Sequence, residues 1–200
     1  MCSSDLNKAG VAGVLAAEYV SQQPPDGSTL LMAHINSHAI VPGLQKLGYD
    51  CTVLPNPRSE YGPFLIARRV EDPSQPTVLT YGHGDVIRGQ DASWTCGQGP
   101  WAVAPDGDRL YGRGTADNKG QHSINIAALA QVLAQRGRLG FNVTWLIETG
   151  EETGSPGLAE FCTAQREALA ADVLIASDGP RLRADRPTIF LGSRGVANFD

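Results

Sequence analysis

Short apolar runs of strand length alternate along this chain with longer segments of helical periodicity. Three such runs are residues 76–82 (PTVLTYG), 141–148 (FNVTWLIE) and 171–178 (ADVLIASD). Between the first two, residues 118–135 place their apolar side chains largely on one face of a helix. Strands that alternate with helices are typical of α/β folds. The pattern therefore predicts a layered α/β domain with a largely parallel sheet.

Further helices and strands are predicted on both sides of these runs, from periodicity and from the positions of glycine and proline. The helices are expected at 7–20, 29–48 and 156–170, and the strands at 51–55, 63–70 and 188–195. Residues 88–114 are rich in Gly, Asp, Pro and Trp and predict a loop with one tight turn and a short strand. We exclude residues 1–6 (MCSSDL) from fold reasoning, because they resemble the translated read-through of a sequencing adapter.

The composition is that of a globular domain without a basic surface. Hydrophobic residues make up 42% and charged residues 18% of the chain, and the formal net charge is -5 at pH 7. Nucleic-acid and membrane-surface binding favour basic patches, so neither partner is expected. No apolar run approaches the roughly 20 residues that span a bilayer. The four cysteines form no CxxC pair, which argues against a thiolate zinc site and favours a cytoplasmic, reducing compartment.

Side chains that can bind metals follow three of the predicted strands and precede the helix at 118–135. They are His83, Asp85, Asp117, Glu151, Glu152 and Asp178. In open α/β sheets ligands bind beyond the carboxyl ends of the strands, so these groups should converge on one rim. Carboxylates brought together repel one another and lose hydration, and one or two divalent cations resolve that conflict. A mixed set of imidazole and carboxylates suits zinc, with cobalt or manganese as substitutes.

Four motifs in a fixed order resemble a known family. They are GHGDV (82–86), LYGRGTADNKG (110–120), ETGEETGSPG (148–157) and ASDG (176–179). This order resembles the catalytic domain of the dinuclear zinc peptidases and amidohydrolases that include aminoacylase, carboxypeptidase G and succinyl-diaminopimelate desuccinylase. Each motif alone is weak, but four in one order are specific. The resemblance implies a zinc-exopeptidase-like, three-layer α/β sandwich, with helices on both faces of a mostly parallel mixed sheet.

The resemblance also implies a ligand set for two Zn²⁺ ions, which Co²⁺ or Mn²⁺ can replace. Asp117 would be the carboxylate that bridges the two metals. His83 and Asp178 would complete the shell of one metal, and Glu152 would bind the other.

The implied reaction is hydrolysis of an amide or peptide bond, in a dipeptide or an N-acyl amino acid, by metal-activated water. Glu151 would be the general base, which takes a proton from the water and returns it to the leaving amine. Asp85 would not be a ligand and would instead hold the His83 ring through its second nitrogen. The Asp117–Asn118 peptide bond is expected to be cis.

The resemblance divides the chain into a catalytic domain at 7–192 and the start of a lid or dimerisation domain at 193–200. The family's remaining metal ligand, a histidine near the C-terminus of the full-length chain, can be assigned to no residue here. We therefore expect weak binding at the second metal site and little turnover by the 200-residue chain alone, which robust hydrolysis would refute. A homodimer of the full-length protein is compatible with the resemblance.

Two other hypotheses stay open from the residues alone. In the first, the chain is a non-catalytic metal- or peptide-binding module with the same fold. In the second, it is a structural α/β domain whose acidic residues are solvated. The presence of Glu151 favours the enzyme over the binding module, because that residue serves the chemistry rather than metal retention. Zinc content after dialysis separates the structural-domain hypothesis from the other two, because only that hypothesis predicts that the protein retains no zinc.

Overall fold

The computed structural model describes residues 40–179, 182–183, 185–186 and 188–190. The predicted helix at 7–20, the first part of the predicted helix at 29–48, and residues 1–6 and 193–200 lie outside the described residues. No helix among the described residues is long and apolar enough to cross a membrane.

A five-stranded mixed sheet organises the described part of the chain. In chain order the strands are β1 Asp50–Leu54, β2 Phe64–Arg69, β3 Thr77–His83, β4 Ala104–Asp106, β5 Arg109–Tyr111, β6 Asn142–Glu148 and β7 Val173–Ala176. The order in the sheet is β1-β2-β6-β3-β7, and β4 and β5 form a separate antiparallel hairpin. β3 pairs in parallel with β6 and β7, whereas β2 pairs antiparallel with β1 and β6. Four of the five strands therefore run in the same direction, and only β2 runs in the opposite one.

Three α-helices accompany the sheet in the described part of the chain. They are α1 Val41–Lys46, α2 Lys119–Arg136 and α3 Leu158–Ala164. α2 matches the helix predicted at 118–135, and it ends where Gly137 adopts a left-handed φ of 70° and its N–H bonds to the carbonyl of Leu133. α3 is shorter than the helix predicted at 156–170, because residues 165–169 form turns. Residues 188–190, the described part of the strand predicted at 188–195, are not in a strand.

Two apolar clusters cover opposite faces of the sheet. Alternate residues of a strand point to opposite faces, so Leu65 belongs to one cluster and Phe64 to the other. Helices α1 and α2 pack on the first cluster, around the fully buried Trp145. Helix α3 covers the second, where the ring of Phe161 stacks on Phe64 with centroids 4.1 Å apart. All seven residues of β6 are buried, as a strand covered on both faces requires. The predicted α/β class, with helices on both faces of a mostly parallel mixed sheet, is confirmed.

Glu71 anchors the turn after α2 to the end of β2. Its carboxylate accepts hydrogen bonds from the backbone N–H groups of Leu139 and Gly140, at 2.9 and 3.0 Å, and pairs with the Arg69 guanidinium at 3.0 Å. The Leu139 and Gly140 hydrogen bonds, with Arg69, lower the pKa of Glu71 against the opposing effect of burial.

We expect Glu71→Gln to lower the free energy of unfolding by about 1–3 kcal/mol at neutral pH, because hydrogen bonds to a charged acceptor are lost. The folded-state pKa is lowered, so the charged form stabilises the fold above the unfolded value of 4.5, and this stabilisation disappears as pH falls through the folded-state pKa. Urea unfolding of both proteins should therefore show a difference at neutral pH that shrinks as the pH falls below 4.5. A difference that does not change with pH would contradict this role.

Candidate metal centre

The parallel strands β3, β6 and β7 bring their carboxyl ends to one rim of the sheet. His83 is the last residue of β3 and pairs in register with Glu148, the last residue of β6. A short 3₁₀ helix, Glu151–Thr153, follows β6, and Asp178 follows β7 by two residues. Asp117 lies in the loop that precedes α2. The loops that leave these strand ends therefore carry the residues that the sequence singled out.

Three of those residues form a compact group. Ligand atoms of His83, Asp117 and Asp178 all lie within 4.8 Å of one another. The Nε2 atom of His83 is 3.0 Å from Asp117 Oδ1 and 3.7 Å from Asp178 Oδ2, and Glu151 Oε2 lies 3.8 Å away. His83 is fully buried, whereas the Asp117 side chain is 63% exposed. The group is therefore built into the protein on the imidazole side and opens to solvent on the carboxylate side.

Asp85 holds the other side of the same imidazole. Its Oδ1 lies 3.3 Å from His83 Nδ1. The two carboxylate oxygens of Asp85 also accept hydrogen bonds from the backbone N–H groups of Glu151, at 3.2 Å, and Glu152, at 3.1 Å. Burial raises the pKa of Asp85, but the hydrogen bonds from His83 and Glu152 outweigh it and leave the pKa low. One ionised carboxylate therefore contacts the end of β3 and the turn that follows β6.

Charge crowding at the rim shifts the acid–base properties of its members. Burial lowers the pKa of His83, but the hydrogen bond to Asp85 and the negative charges of Asp178 and Glu151 outweigh it and raise the pKa to about 9. Burial also raises the pKa of Glu151 and of Asp178, and neighbouring carboxylates add to the increase while His83 opposes it. The rim therefore carries more negative charge than one imidazole neutralises.

This donor set fits a divalent metal ion. An imidazole nitrogen and two carboxylate oxygens at short mutual distance are the ligand types that zinc and its substitutes bind. Burial, with a smaller contribution from neighbouring carboxylates, raises the pKa of Glu151 and of Asp178, and a bound cation would offset both effects. Glu152 is not a member of the three-residue group, and its backbone N–H bonds to Asp85. Its assignment to a second metal stays a prediction.

Asn118 connects two strands of the rim, a contact that the sequence did not reveal. The Asp117–Asn118 peptide bond is cis, as expected. The Asn118 side chain is buried, its Oδ1 accepts a hydrogen bond from the backbone N–H of His83 at 3.1 Å, and its Nδ2 donates to the carbonyl of Ser177 at 2.8 Å. One amide group therefore fixes His83 and the residue before Asp178 relative to each other.

His122 supports the end of β3 from the α2 side. It is buried, and its Nε2 lies 2.9 Å from the backbone carbonyl oxygen of His83. Gly82 makes this approach possible, because a Cβ atom at that position would overlap the His122 ring and lie 2.6 Å from Asn118 Oδ1. The absence of a side chain at Gly82 therefore lets α2 pack directly behind His83.

The sequence and the fold are similar to those of known dipeptidases. β-Ala-His dipeptidase of Mus musculus is 31% identical over 191 residues, which cover 94% of this chain and 32% of that protein. Cysteinylglycine-S-conjugate dipeptidase of Corynebacterium striatum is 33% identical over 159 residues, which cover 78% of this chain and 34% of that protein. The crystal structure of human carnosine dipeptidase 1 superposes with a TM-score of 0.62 at 29% identity, over 69% of this chain and 31% of that one.

The chain thus spans about a third of the length of these relatives. Residues 79–190, which contain every residue of the rim, match the model of peptidase family M20/M25/M40. The resemblance of the four motifs is confirmed, and the chain belongs to the M20/M25/M40 family of metallopeptidases.

Proposed function

We propose that this chain carries the catalytic residues of a metal-dependent dipeptidase, which hydrolyses the amide bond of a dipeptide or an N-acyl amino acid. The observation that carries the proposal is the group formed by His83, Asp117 and Asp178, with the Glu151 carboxylate beside it. Several relatives named as dipeptidases support the substrate class.

The proposed cofactor is a pair of Zn²⁺ ions, with Co²⁺ or Mn²⁺ as substitutes. Asp117 would bind both ions, because one of its oxygens lies 3.0 Å from His83 Nε2 while its side chain is 63% exposed to solvent. His83 and Asp178 would hold the first ion, and Glu152 the second. When bound, such ions lower the pKa of a water molecule and polarise the carbonyl of the bond to be cleaved.

Glu151 is the proposed general base. Its carboxylate lies 3.8 Å from His83 Nε2, at the edge of the metal-binding group, and burial raises its pKa, the direction in which a carboxylate becomes a better proton acceptor. Glu151 takes one proton from the attacking water as the new C–O bond forms. It then delivers that proton to the amide nitrogen as the C–N bond breaks, so an acid and an amine leave and the base is regenerated.

Asp85 is proposed to position both the ligand and the base. Its contact with His83 Nδ1 leaves Nε2 free to bind metal, and its hydrogen bonds from Glu151 and Glu152 fix the backbone of the turn. An ionised carboxylate in this place also increases the electron-donating power of the imidazole.

Other features of the whole protein are proposals of the same kind. The family match over 79–190 supports the proposed catalytic domain at 7–192, and the lid or dimerisation domain from 193 is proposed from the resemblance of the motifs. A cytoplasmic location is supported by the scattered cysteines, and the net charge of -5 argues against nucleic-acid partners. A homodimer of the full-length protein is proposed on the same family grounds.

The deciding experiment measures how fast the full-length protein hydrolyses a panel of dipeptides and N-acyl amino acids. Protein stripped with a chelator should be inactive, and added Zn²⁺, Co²⁺ or Mn²⁺ should restore activity. Metal binding without any hydrolysis would favour the alternative of a non-catalytic binding module. A protein that retains no metal after dialysis would instead be a structural α/β domain with solvated acids.

A further inference from the structure

One more carboxylate, that of Glu148, lies behind the rim and takes no part in the proposed chemistry. It is the last residue of β6 and only 1% exposed. The Tyr81 hydroxyl donates a hydrogen bond to its Oε1, and Ser155 Oγ donates to the same oxygen at 2.8 Å. Burial and the Glu148 carboxylate raise the pKa of Tyr81, so the tyrosine stays protonated and remains a donor.

Ser155 closes the turn that carries the two glutamates of the site. Its backbone N–H bonds to the carbonyl of Gly150 at 2.8 Å, and the N–H of Gly154 bonds to the carbonyl of Glu151 at 2.9 Å. Ser155 has a positive φ of 52°, and in this conformation its Oγ reaches Glu148 Oε1. The hydroxyl of Ser155 therefore bonds the turn at 150–155 to the end of the central strand.

The same turn is also held by Asp85, which accepts hydrogen bonds from the backbone of Glu151 and Glu152. Tyr81 extends the Glu148 contacts to β3, two residues before His83. The turn is thus fixed between two carboxylates, and both are connected to the strand that ends in His83.

Burying a carboxylate is costly unless it is hydrogen-bonded, and the buried Glu148 has two hydroxyl donors on one oxygen. Leu146, two residues earlier on the same face of β6, belongs to the apolar cluster with Phe64 and Phe161. A hydrogen-bonded carboxylate next to this apolar cluster, behind the proposed general base, indicates that the position of the turn carrying the base is important.

We propose that Glu148 is a positioning residue, which acts through Ser155 to hold the turn at 150–155 so that Glu151 and Glu152 face the metal-binding group. This inference rests on the proposed function, because its kinetic consequence requires that Glu151 act as the base. Misplacing a catalytic group by about 1 Å lowers turnover by up to about 100-fold, so a small displacement of the turn is measurable.

The sharpest variant is Ser155→Gly. Glycine adopts the positive φ of this position without strain, so the substitution removes the hydroxyl and leaves the backbone of the turn unstrained. Ser74→Gly is the matched control, because Ser74 Oγ also donates to a carboxylate at 2.8 Å, that of Asp72, in an exposed turn between β2 and β3.

In the zinc-loaded full-length protein, Ser155→Gly should lower kcat about 10-fold or more and leave KM within about twofold of the wild-type value. Ser74→Gly should leave both unchanged. Glu148→Gln combined with Ser155→Gly should be no slower than the slower single variant, because the two residues act as one unit. A kcat of Ser155→Gly equal to that of Ser74→Gly would overturn the inference.

Zinc affinity separates this inference from the proposed function. If the wild-type protein hydrolyses none of the substrates, the proposed function fails, and competition titration with a zinc chelator decides the role of Glu148. Ser155→Gly should then bind zinc about 10-fold more weakly than Ser74→Gly, because Glu152 is displaced with the turn. Equal affinities would overturn the positioning role.

Discussion

Glu151→Gln should lower kcat by about 10²- to 10⁴-fold and leave the metal content unchanged. Glutamine has nearly the same size as glutamate, and the backbone N–H of residue 151 keeps its hydrogen bond to Asp85. The amide accepts no proton near neutral pH, so only the acid–base step is lost. Hydrolysis rates and metal analysis on the same protein samples measure both quantities.

Glu160→Gln provides the control for this substitution. Glu160 lies on α3, is exposed and pairs with Arg58 at 2.7 Å, so the same chemical change occurs away from the rim. Its kcat should equal that of the wild type. Normal turnover by Glu151→Gln would contradict the assignment of the base, and loss of metal together with turnover would show that Glu151 is a ligand.

Asp117→Asn should have the largest effect on metal binding. In its proposed role as a ligand of both ions, the Asp117 carboxylate would supply a negative charge and two oxygen ligands, which an amide cannot do. We expect zinc affinity to fall by more than about 100-fold, because changes to groups behind the ligands already cost 10- to 100-fold. Bound zinc per chain should fall correspondingly, and hydrolysis should be lost with it.

Asp108→Asn is the matched control for the loss of one negative charge. Asp108 is exposed in the turn between β4 and β5, and its substitution should change neither zinc affinity nor turnover. Retention of zinc by Asp117→Asn at wild-type affinity would show that Asp117 does not bind the metal.

The strands that carry the site could be predicted from the sequence because each is a short apolar run followed at once by polar side chains. β3 and β6 were expected at 76–82 and 141–148, and they were found within one residue of those limits. Parallel strands end at the same rim, so the proximity of His83 and Asp178 followed from topology alone. The order of the four motifs added the expectation of a cis bond at Asp117–Asn118, which is confirmed.

The residues behind the rim could not be predicted, because their partners are distant in the sequence. An asparagine that directly precedes a helix normally caps that helix with its own side chain. Asn118 makes no such cap and binds His83 and Ser177 instead, 35 and 59 residues away. Glu148 ends the strand predicted at 141–148, and its hydrogen bond from Tyr81 spans 67 residues.

The end of the last described helix also differs from the sequence prediction. The helix expected to reach residue 170 ends at Ala164, although the N–H groups of Gln165 and Leu169 still bond to carbonyls four residues earlier. Local periodicity persists through this segment, and only the backbone geometry departs from an α-helix. Sequence patterns report the periodicity and are insensitive to that departure.

If divalent cations hold the acidic rim of the sheet together, zinc anomalous scattering should locate them there. Crystals grown with Zn²⁺ and measured at the zinc absorption edge should show a peak about 2.0–2.2 Å from His83 Nε2 and from carboxylate oxygens of Asp117 and Asp178. A second peak should lie between Asp117 and Glu152. An anomalous map with no peak at this rim, or with zinc bound only elsewhere on the protein, would contradict the account.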